Sequence, residues 1–578
     1  MILQALKEYY DRKPDLPRAG FEIKEIPFVL VLNPDGTPIS LNETYEGQGK
    51  ARRAKRYIVP QSVKRAVNIA ANLLWDNPEY VLGVSLKGRP ERVVKQHAAF
   101  KQRVEDLGLM SDPGLAAVCS FLAKSDKVEA LQAFGSSWKE LQETCANLSF
   151  QLAGQPGLIA EQQSVQAAVG TPIGGTAEGK SICLVTGETQ TVERLHAAIK
   201  GVWGAQSSGA NIVSFNLDAF QSFNKQQGAN APVGKNTAFA YTTALNQLLS
   251  KDSKQRMQVG DASTIFWSQK QTVLEEQIVN FFAEPPKDDP DRNVRAVASL
   301  FQSVHTGALA PQDNQTRFYV LGLAPNASRI AVRFWIMDTV AGMAGKICRH
   351  FEDTRLVHGP RDKDTLSLFR LLVSTAIQGK PENILPNLGG DAMRAILEGL
   401  PYPQTLLQAA IRRIRAEHDI TYPRAALIKA CLNRSTRINN PKQKEELHVT
   451  LDPTNTNIGY RLGRLFAALE RIQIRKFTQK GGKEPNSSIR EKYYGSASGT
   501  PVAVFGTLIR LSKHHLASLE NAGERINFEK LLGEIMCGIN DFPSHLQLDD
   551  QGRFAIGYYH QMHDFFSKKN DSQPKKGI

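Results

Sequence analysis

Hydrophobic and polar residues follow two different periods along this chain, and the change comes near residue 380. Before that position, short apolar runs bounded by turn residues predict strands, as at 28–32, which precedes the turn Pro34-Asp35-Gly36. The apolar segment 317–337 predicts a hairpin with its turn at Pro325-Asn326, or else two strands of one sheet. Helical patterns, among them 2–12 and much of 90–169, lie between these strands. Residues 1–380 are therefore expected to form a mixed α+β N-terminal domain.

Residues 381–578 carry a different pattern. Amphipathic helical segments follow one another, separated by Pro, Gly and Asn, and strand patterns are sparse. This part is expected to be an all-α helical bundle. The predicted fold class is thus α+β, with the mixed domain followed by a helical C-terminal domain.

Composition places the chain among globular proteins of the cytoplasm. It has 578 residues, of which 41% are hydrophobic and 22% charged. The first residues, MILQALKEYYDRK, lack the apolar core of a signal peptide, and no later run is long enough to cross a bilayer. Six cysteines stand singly without a C-x-x-C pair, so we expect reduced thiols and no zinc site.

Positive charge is concentrated in one stretch. The chain has a net charge of +14, and residues 401–500 contain 18 Lys and Arg against 8 Asp and Glu. Such clustering is typical of a protein with a polyanionic partner, although a lightly charged solvated face would look similar.

The best-formed helical pattern in this stretch is 461–477. Leu462, Leu465, Phe466, Leu469 and Ile472 form an apolar stripe. The arginines cluster on another face, where guanidinium groups suit phosphate oxygens. The predicted backbone contacts of this helix are Arg461, Arg464, Arg471 and Arg475.

Two N-terminal segments are further candidates for DNA contact. The Gly-rich and basic segment 46–56 is expected to be a flexible loop that contacts phosphates. Next, 62–75 shows helical periodicity, with cations to grip phosphates and amides to reach base edges on one face. The candidate backbone contacts are Arg52, Arg53, Lys55, Arg56, Lys64 and Arg65, and the candidate base-reading residues are Asn68 and Asn72.

The loop 205–211 adds amides and hydroxyls beside glycines, where a protein backbone can approach DNA closely. Its candidate base-reading residues are Gln206, Ser207, Ser208 and Asn211. The alternative is ordinary: asparagines on a solvated helix face and a polar hairpin turn.

A P-loop match occurs at 174–181, which ends in Lys180-Ser181. A P-loop requires a long helix after this pair, whereas 182–187 is apolar and β-branched and ends at a turn. A basic Gly-rich hairpin, with Lys180 as a DNA backbone contact, is the preferred interpretation. A P-loop nucleotide-dependent DNA-processing enzyme is the alternative.

Other catalytic patterns are weak. His418-Asp419 and His563-Asp564 match the start of an HD-type metal site, but further His and Asp ligands at suitable spacing are lacking in the sequence. No G-x-S-x-G or H-E-x-x-H motif occurs. We therefore expect neither a catalytic residue nor a metal or other cofactor.

Several long runs resemble the large-subunit family of the type I-C CRISPR surveillance complex, Cascade. They span nearly the whole chain in the expected order and are far more specific than the short motifs. The runs are MILQALKEYY at the start, CLVTGE at 183, IKGVWGAQSSGANIVSFNLDAFQS at 199–222, QGANAPVGKNTAFAYTTALNQLL at 227–249, FYVLGLAPNASRIAVRFW at 318–335, and later IGYRLGRLFAALERIQ, YYGSASGTP and QGRFAIGYYHQ.

The resemblance implies a non-catalytic subunit that senses the protospacer-adjacent motif in duplex DNA, helps to start the R-loop and stabilises the displaced strand. The implied partners are CRISPR RNA, double-stranded target DNA, the backbone, handle-binding and small subunits of Cascade, and the helicase-nuclease, with no membrane. It also implies that the helical C-terminal part resembles the Cascade small subunit. A stand-alone RNA-binding protein is a second alternative, but no RNP-type aromatic motif is visible.

Overall fold

The computed structural model describes residues 1–566 except 48, 50, 51, 64–68, 110, 171–179, 307–314, 386, 443–446, 480–482, 484 and 486. The chain forms two compact units. We call Tyr10–His196 with Phe215–Ala244 the mixed unit. We call Met1–Tyr9, Ala197–Ser214 and the residues from Leu245 onward the large unit.

Strands are short and lie mainly before residue 340. The described strands are β1 (Phe21–Glu25), β2 (Phe28–Leu32), β3 (Pro38–Glu43), β4 (Tyr45–Glu46), β5 (Arg53–Ala54), β6 (Arg56–Pro60), β7 (Trp75–Asp76), β8 (Leu148–Leu152), β9 (Lys180–Ile182), β10 (Thr189–Thr191), β11 (Arg256–Val259), β12 (Ala262–Ser268), β13 (Arg317–Asn326) and β14 (Arg329–Thr339).

Helices make up the rest of the regular structure and dominate after residue 340. The described helices are α1 (Ile2–Asp11), α2 (Pro78–Val81), α3 (Pro90–Glu105), α4 (Pro113–Ala123), α5 (Lys127–Gln132), α6 (Gly135–Thr144), α7 (Gln163–Gly170), α8 (Lys235–Leu248), α9 (Val273–Phe282), α10 (Arg292–His305), α11 (Val340–Thr354), α12 (Leu368–Val373), α13 (Leu388–Glu398), α14 (Gln404–Glu417), α15 (Tyr422–Asn439), α16 (Ile458–Thr478), α17 (Ile489–Gly499), α18 (Phe505–Ala517), α19 (Ala522–Met536) and α20 (Leu548–Phe566).

The mixed unit is built on a four-stranded sheet with the order β3-β2-β8-β7. Strand β2 pairs parallel with β8 and antiparallel with β3. Leu30 of β2 and Phe150 of β8 are fully buried, and α3 and α4 contribute to the same core. The predicted turn after β2 is confirmed: Gly36 has a φ of 78°, and a Cβ there would lie 2.5 Å from the Phe121 amide nitrogen.

The large unit combines the antiparallel sheet β11-β12-β13-β14 with helices α9 to α20. The predicted hairpin is confirmed as β13 and β14. Their register shifts at Gly322, where a Cβ would lie 2.5 Å from the Phe334 ring. One hydrophobic core runs from Val259 to Tyr559 and therefore includes residues on both sides of position 380.

Helices α16 and α20 lie at the centre of the bundle and touch backbone to backbone. A Cβ at Gly463 would lie 2.0 Å from the Phe554 carbonyl oxygen, and one at Gly557 would lie 2.1 Å from the Tyr460 carbonyl oxygen. Glycine is therefore required at both positions. With α17, α18 and α19 also packed against it, α16 is buried on almost every side between Gly459 and Glu470.

The α+β fold class is confirmed, with the sheets early and helices late in the chain. The helix predicted at 62–75 is wrong in its described residues: 61–63 and 69–72 are irregular, and Trp75–Asp76 is strand β7. Consecutive residues Ala71 to Trp75 are all buried, which no single helix face allows, and Leu74 has a φ of 62°. Among the described residues, no helix is long and apolar enough to span a bilayer.

Candidate nucleic-acid interface

The loop predicted at 205–211 presents a polar turn to solvent. Gln206, Ser207 and Ser208 are all exposed. The Gly209 amide donates a hydrogen bond to the Gln206 carbonyl at 2.9 Å, which closes the turn. One side-chain amide and two hydroxyl groups therefore point outward from a defined backbone.

The base of this turn is pinned to the large unit. Ile199 and Ala210 exchange both backbone hydrogen bonds at 2.9 Å. Gly209 has a φ of 94°, and a Cβ there would lie 2.9 Å from the Ile199 carbonyl oxygen. Likewise, Gly201 has a φ of 88° and lies against the Leu249 carbonyl oxygen. Because glycines allow these close approaches, the turn is held in place without a helix or strand.

Asn211 has a different role in the same loop. It is half-buried, and its backbone bridges to the β14 edge, where the Ile330 amide donates to the Asn211 carbonyl at 2.9 Å. Its side-chain amide donates to the Ala197 carbonyl at 3.4 Å. These contacts anchor the loop, so Asn211 supports the exposed turn.

Asn72, predicted to read bases, is only 6% exposed. Its side-chain oxygen accepts a hydrogen bond from the Val63 backbone amide at 3.0 Å, and the Asn72 backbone amide donates to the Asp76 carboxylate at 2.8 Å. The expectation of a solvent-facing Asn72 is therefore wrong, because this residue closes an internal loop of the mixed unit. Lys64, Arg65 and Asn68 lie outside the described residues.

The basic segment before it is more ordered than expected. Arg53 belongs to β5 and Arg56 to β6, and both are exposed, as is Lys55 between them. Arg52 forms ion pairs with Glu43 at 3.4 Å and with Glu140 at 2.7 Å, and its guanidinium lies 3.9 Å from the centre of the Tyr45 ring. Arg52 is thus engaged by two carboxylates and a ring, although its side chain is 41% exposed. Arg56 pairs with Glu25 at 3.9 Å, and Arg53, Lys55 and Arg56 all reach solvent.

The arginines of α16 do not form the outer face that the pattern predicts. Arg464 is 2% exposed and donates to Gln561 at 3.0 Å and to Glu534 at 2.8 Å. Arg461 donates to the carbonyl oxygens of Asn455 at 2.8 Å and Gly538 at 2.5 Å. The prediction that Arg464 is exposed and binds phosphate is wrong, because neighbouring helices cover the central helix α16 on all sides at this residue.

The last turns of the same helix are also engaged. Arg475 contacts both carboxylate oxygens of Glu524, at 2.5 and 3.1 Å. The Arg471 guanidinium lies 4.6 Å from the centre of the Phe566 ring. Both arginines are half-buried, and their contacts link α16 to α19 and α20.

The sequence analysis missed three exposed cations, Arg412 and Arg415 on α14 and Lys492 on α17, which we treat together as one basic surface. Within the part of the chain that the structure describes, none of the three pairs with a carboxylate. The Arg415 guanidinium lies over the small-residue side of α17: a Cβ at Gly495 or Gly499 would lie 3.8–4.0 Å from its nitrogens. The available sign was spacing, since Arg412 and Arg415 are one turn apart on the polar side of an amphipathic helix.

The P-loop interpretation fails on the described residues. Lys180 begins strand β9, which pairs antiparallel with β10 from Lys180↔Thr191 to Ile182↔Thr189. The Lys-Ser pair therefore lies within a strand, where a P-loop needs the N-terminus of a helix. Residues 174–179 of the motif lie outside the described residues.

Histidines and cysteines form no recognisable reaction centre in the described structure. His560, near the His563-Asp564 dipeptide, is buried against the Tyr460 hydroxyl at 2.9 Å, and burial lowers its pKa to about 3. No group of three His, Cys, Asp or Glu residues that could hold a metal ion occurs among the residues described. All six cysteines are free.

The comparisons with known proteins bear on both units. A family model described as CRISPR-associated protein (Cas_Csd1) matches residues 6–566. No individual curated protein gave a match. The matched range includes the anchored turn, the basic strands β5 and β6, and the helical bundle. This chain therefore belongs to the Csd1 family of CRISPR-associated proteins.

Proposed function

We propose that this chain is the non-catalytic large subunit of a type I-C CRISPR RNA-guided surveillance complex. In this role it senses the protospacer-adjacent motif in duplex DNA, promotes R-loop formation, stabilises the displaced strand and helps to recruit the helicase-nuclease. Membership of the Csd1 family supports a place in a Cascade-type complex. The observation that carries motif sensing is the pinned, exposed turn of Gln206, Ser207 and Ser208.

The chemistry of that turn suits base edges. A glutamine amide can donate to and accept from an adenine in the major groove, and a serine hydroxyl can do either with any base. Because Gly209 and Gly201 hold the turn, little conformational entropy is lost when it binds. A short motif needs only a few such contacts.

Phosphate contacts would come from exposed cations on both units. Arg53, Lys55, Arg56 and Lys180 serve the mixed unit, with Lys64 and Arg65 kept as predicted phosphate contacts and Asn68 as a predicted base-reading residue. On the large unit, the surface of Arg412, Arg415 and Lys492 replaces the α16 arginines as the contact to the displaced strand. The proposed partners are CRISPR RNA, target DNA and the other Cascade subunits, in the cytoplasm.

Motif preference of the assembled complex tests this function. Gln206→Ala should lower the preference for the correct motif over a mutated one by about 5- to 150-fold, the range for one lost base contact. Binding to a target that is already unwound should be spared, because pairing with the RNA then supplies sequence reading. Gln269→Ala, at another exposed glutamine of the large unit, is the matched control. Unchanged discrimination by Gln206→Ala on linear duplexes at fixed salt would remove the turn from the motif site.

A further inference from the structure

Phe223 is the most exposed large apolar side chain among the described residues, at 93%. It lies in the mixed unit at the tip of a loop, with a φ of 51°, and Asn224 follows with a φ of 55°. Asparagine tolerates this left-handed backbone, but phenylalanine adopts it at a cost. The loop therefore accepts both backbone strain and an exposed ring at the same residue.

Hydrogen bonds hold this tip in one conformation. The Lys225 amide donates to the Ser222 carbonyl at 2.9 Å, and the two positive φ values between them are those of a type I′ turn. The side chain of Asn230 spans the turn: it accepts from the Ser222 amide at 2.9 Å and donates to the carbonyls of Lys225 and Gln227, both at 3.0 Å. The ring is thus presented on a preorganised support.

The support is itself fixed to the mixed unit. Gly228 is buried, its amide donates to the Arg194 carbonyl at 3.1 Å, and a Cβ there would lie 2.2 Å from the Glu193 carbonyl oxygen. Arg194 in turn donates to the Gln227 side chain at 2.6 Å. These contacts fix the base of the loop to residues 193–194 of the mixed unit.

The surroundings of the ring favour a protein partner over a nucleic acid. Leu217 and Phe220 are also exposed, at 52% and 36%, so the segment carries three exposed apolar side chains. Residues 216–226 contain one aspartate and one lysine, which leaves this segment without excess charge in a chain of net charge +14. A phosphate-rich ligand would select cations here, whereas protein interfaces are enriched in aromatic residues and depleted in charge at their centre.

We propose that Phe223 is an anchor that inserts into an apolar socket on another protein subunit of the complex. The inference rests on the proposed function, because that function places the chain in a multisubunit assembly. Preorganisation by Asn230 reduces the entropy lost when the ring is buried. Leu217 and Phe220, six and three residues before the anchor along the chain, are further exposed apolar residues of the same segment.

Affinity for the remaining complex tests the anchor. The full chain is titrated into the ribonucleoprotein assembled from the other subunits and CRISPR RNA, and the dissociation constant is measured without DNA. Phe223→Asn keeps a residue that favours positive φ and removes the ring, so the turn is retained. We expect this variant to bind about 30-fold more weakly or worse, as for a central aromatic anchor. Val94→Asn, at a 67% exposed apolar residue of α3, should bind as the wild type does.

Loss of preorganisation gives an independent reading. Asn230→Ala keeps Phe223 and removes three hydrogen bonds, so its affinity should fall between those of the wild type and Phe223→Asn. Wild-type affinity of Phe223→Asn for the complex would overturn the inference. So would normal assembly combined with weakened DNA binding, which would assign the ring to nucleic acid. Failure of the wild-type chain to join the complex at all would instead contradict the proposed function.

Discussion

The Arg464 guanidinium donates to the Glu534 carboxylate at 2.8 Å and joins the central helix α16 to α19. Arg464 is 2% exposed at its side chain, and Glu534 is 52% exposed. The buried guanidinium of α16 thus pairs with a carboxylate that remains in contact with water. Its other hydrogen bonds go to Gln561 and to the Pro453 carbonyl, at 3.0 and 3.3 Å.

Replacing Arg464 should therefore affect stability. Arg464→Gln leaves buried acceptors without donors, so we expect the free energy of unfolding to fall by about 2 kcal/mol. Urea unfolding followed by circular dichroism measures it. Arg412→Gln, at an exposed arginine on α14, should stay within about 0.5 kcal/mol of the wild type. Equal stability of the two variants would contradict the buried role of Arg464.

The contact between α16 and α20 depends on glycine. Gly463→Ala would place a Cβ 2.0 Å from the Phe554 carbonyl oxygen, so the helices must separate. We expect a loss of about 3 kcal/mol, at the upper end of the usual cost of overpacking. Gly533→Ala in α19 meets no atom within 4 Å and should stabilise the protein by about 0.5–1 kcal/mol through helix propensity. Thermal unfolding of both variants measures these changes in stability, which should have opposite signs.

The surface of Arg412, Arg415 and Lys492 should contact phosphates without reading sequence. Changing all three to Gln should weaken R-loop stability alike for every target. The slope of log K against log salt should become shallower by about 0.7–0.9 for each lost contact. Binding titrations of the complex from low to moderate salt measure this slope. A changed motif preference with an unchanged slope would show that these cations do not hold the DNA backbone.

Lys180 should contribute charge and no nucleotide chemistry. It begins strand β9 and is exposed, so Lys180→Ala should weaken DNA binding slightly. Neither the wild type nor the variant should hydrolyse ATP above the background rate. A coupled phosphate-release assay compares the two proteins. ATP hydrolysis by the wild type that the variant loses would restore the P-loop alternative.

The sequence predicted the hairpin β13–β14 and the C-terminal helices because apolar periodicity reports one buried face. It could not predict the burial of Arg464, because the pattern of α16 suggests one apolar stripe, whereas packing against α17, α18, α19 and α20 buries the opposite face as well. The predicted exposure of Asn72 was wrong for a similar reason. Its segment has a helix-like apolar pattern, but consecutive residues of that segment are buried. The 206–208 turn was found because glycine, amide and hydroxyl residues mark an exposed turn locally. Phe223 was missed, since an apolar residue in a loop gives no sign of its exposure until the backbone is known.

A footprint of target duplex DNA on the assembled complex, with and without this chain, tests the central claim most directly. With the chain present, we predict protection of the protospacer-adjacent motif and reactivity of unpaired bases in the displaced strand beside it. Without the chain, both should be lost on duplex DNA, while a target already unwound should still bind through the RNA. The same protection and strand opening in complexes that lack this chain would contradict its role in motif recognition and R-loop formation.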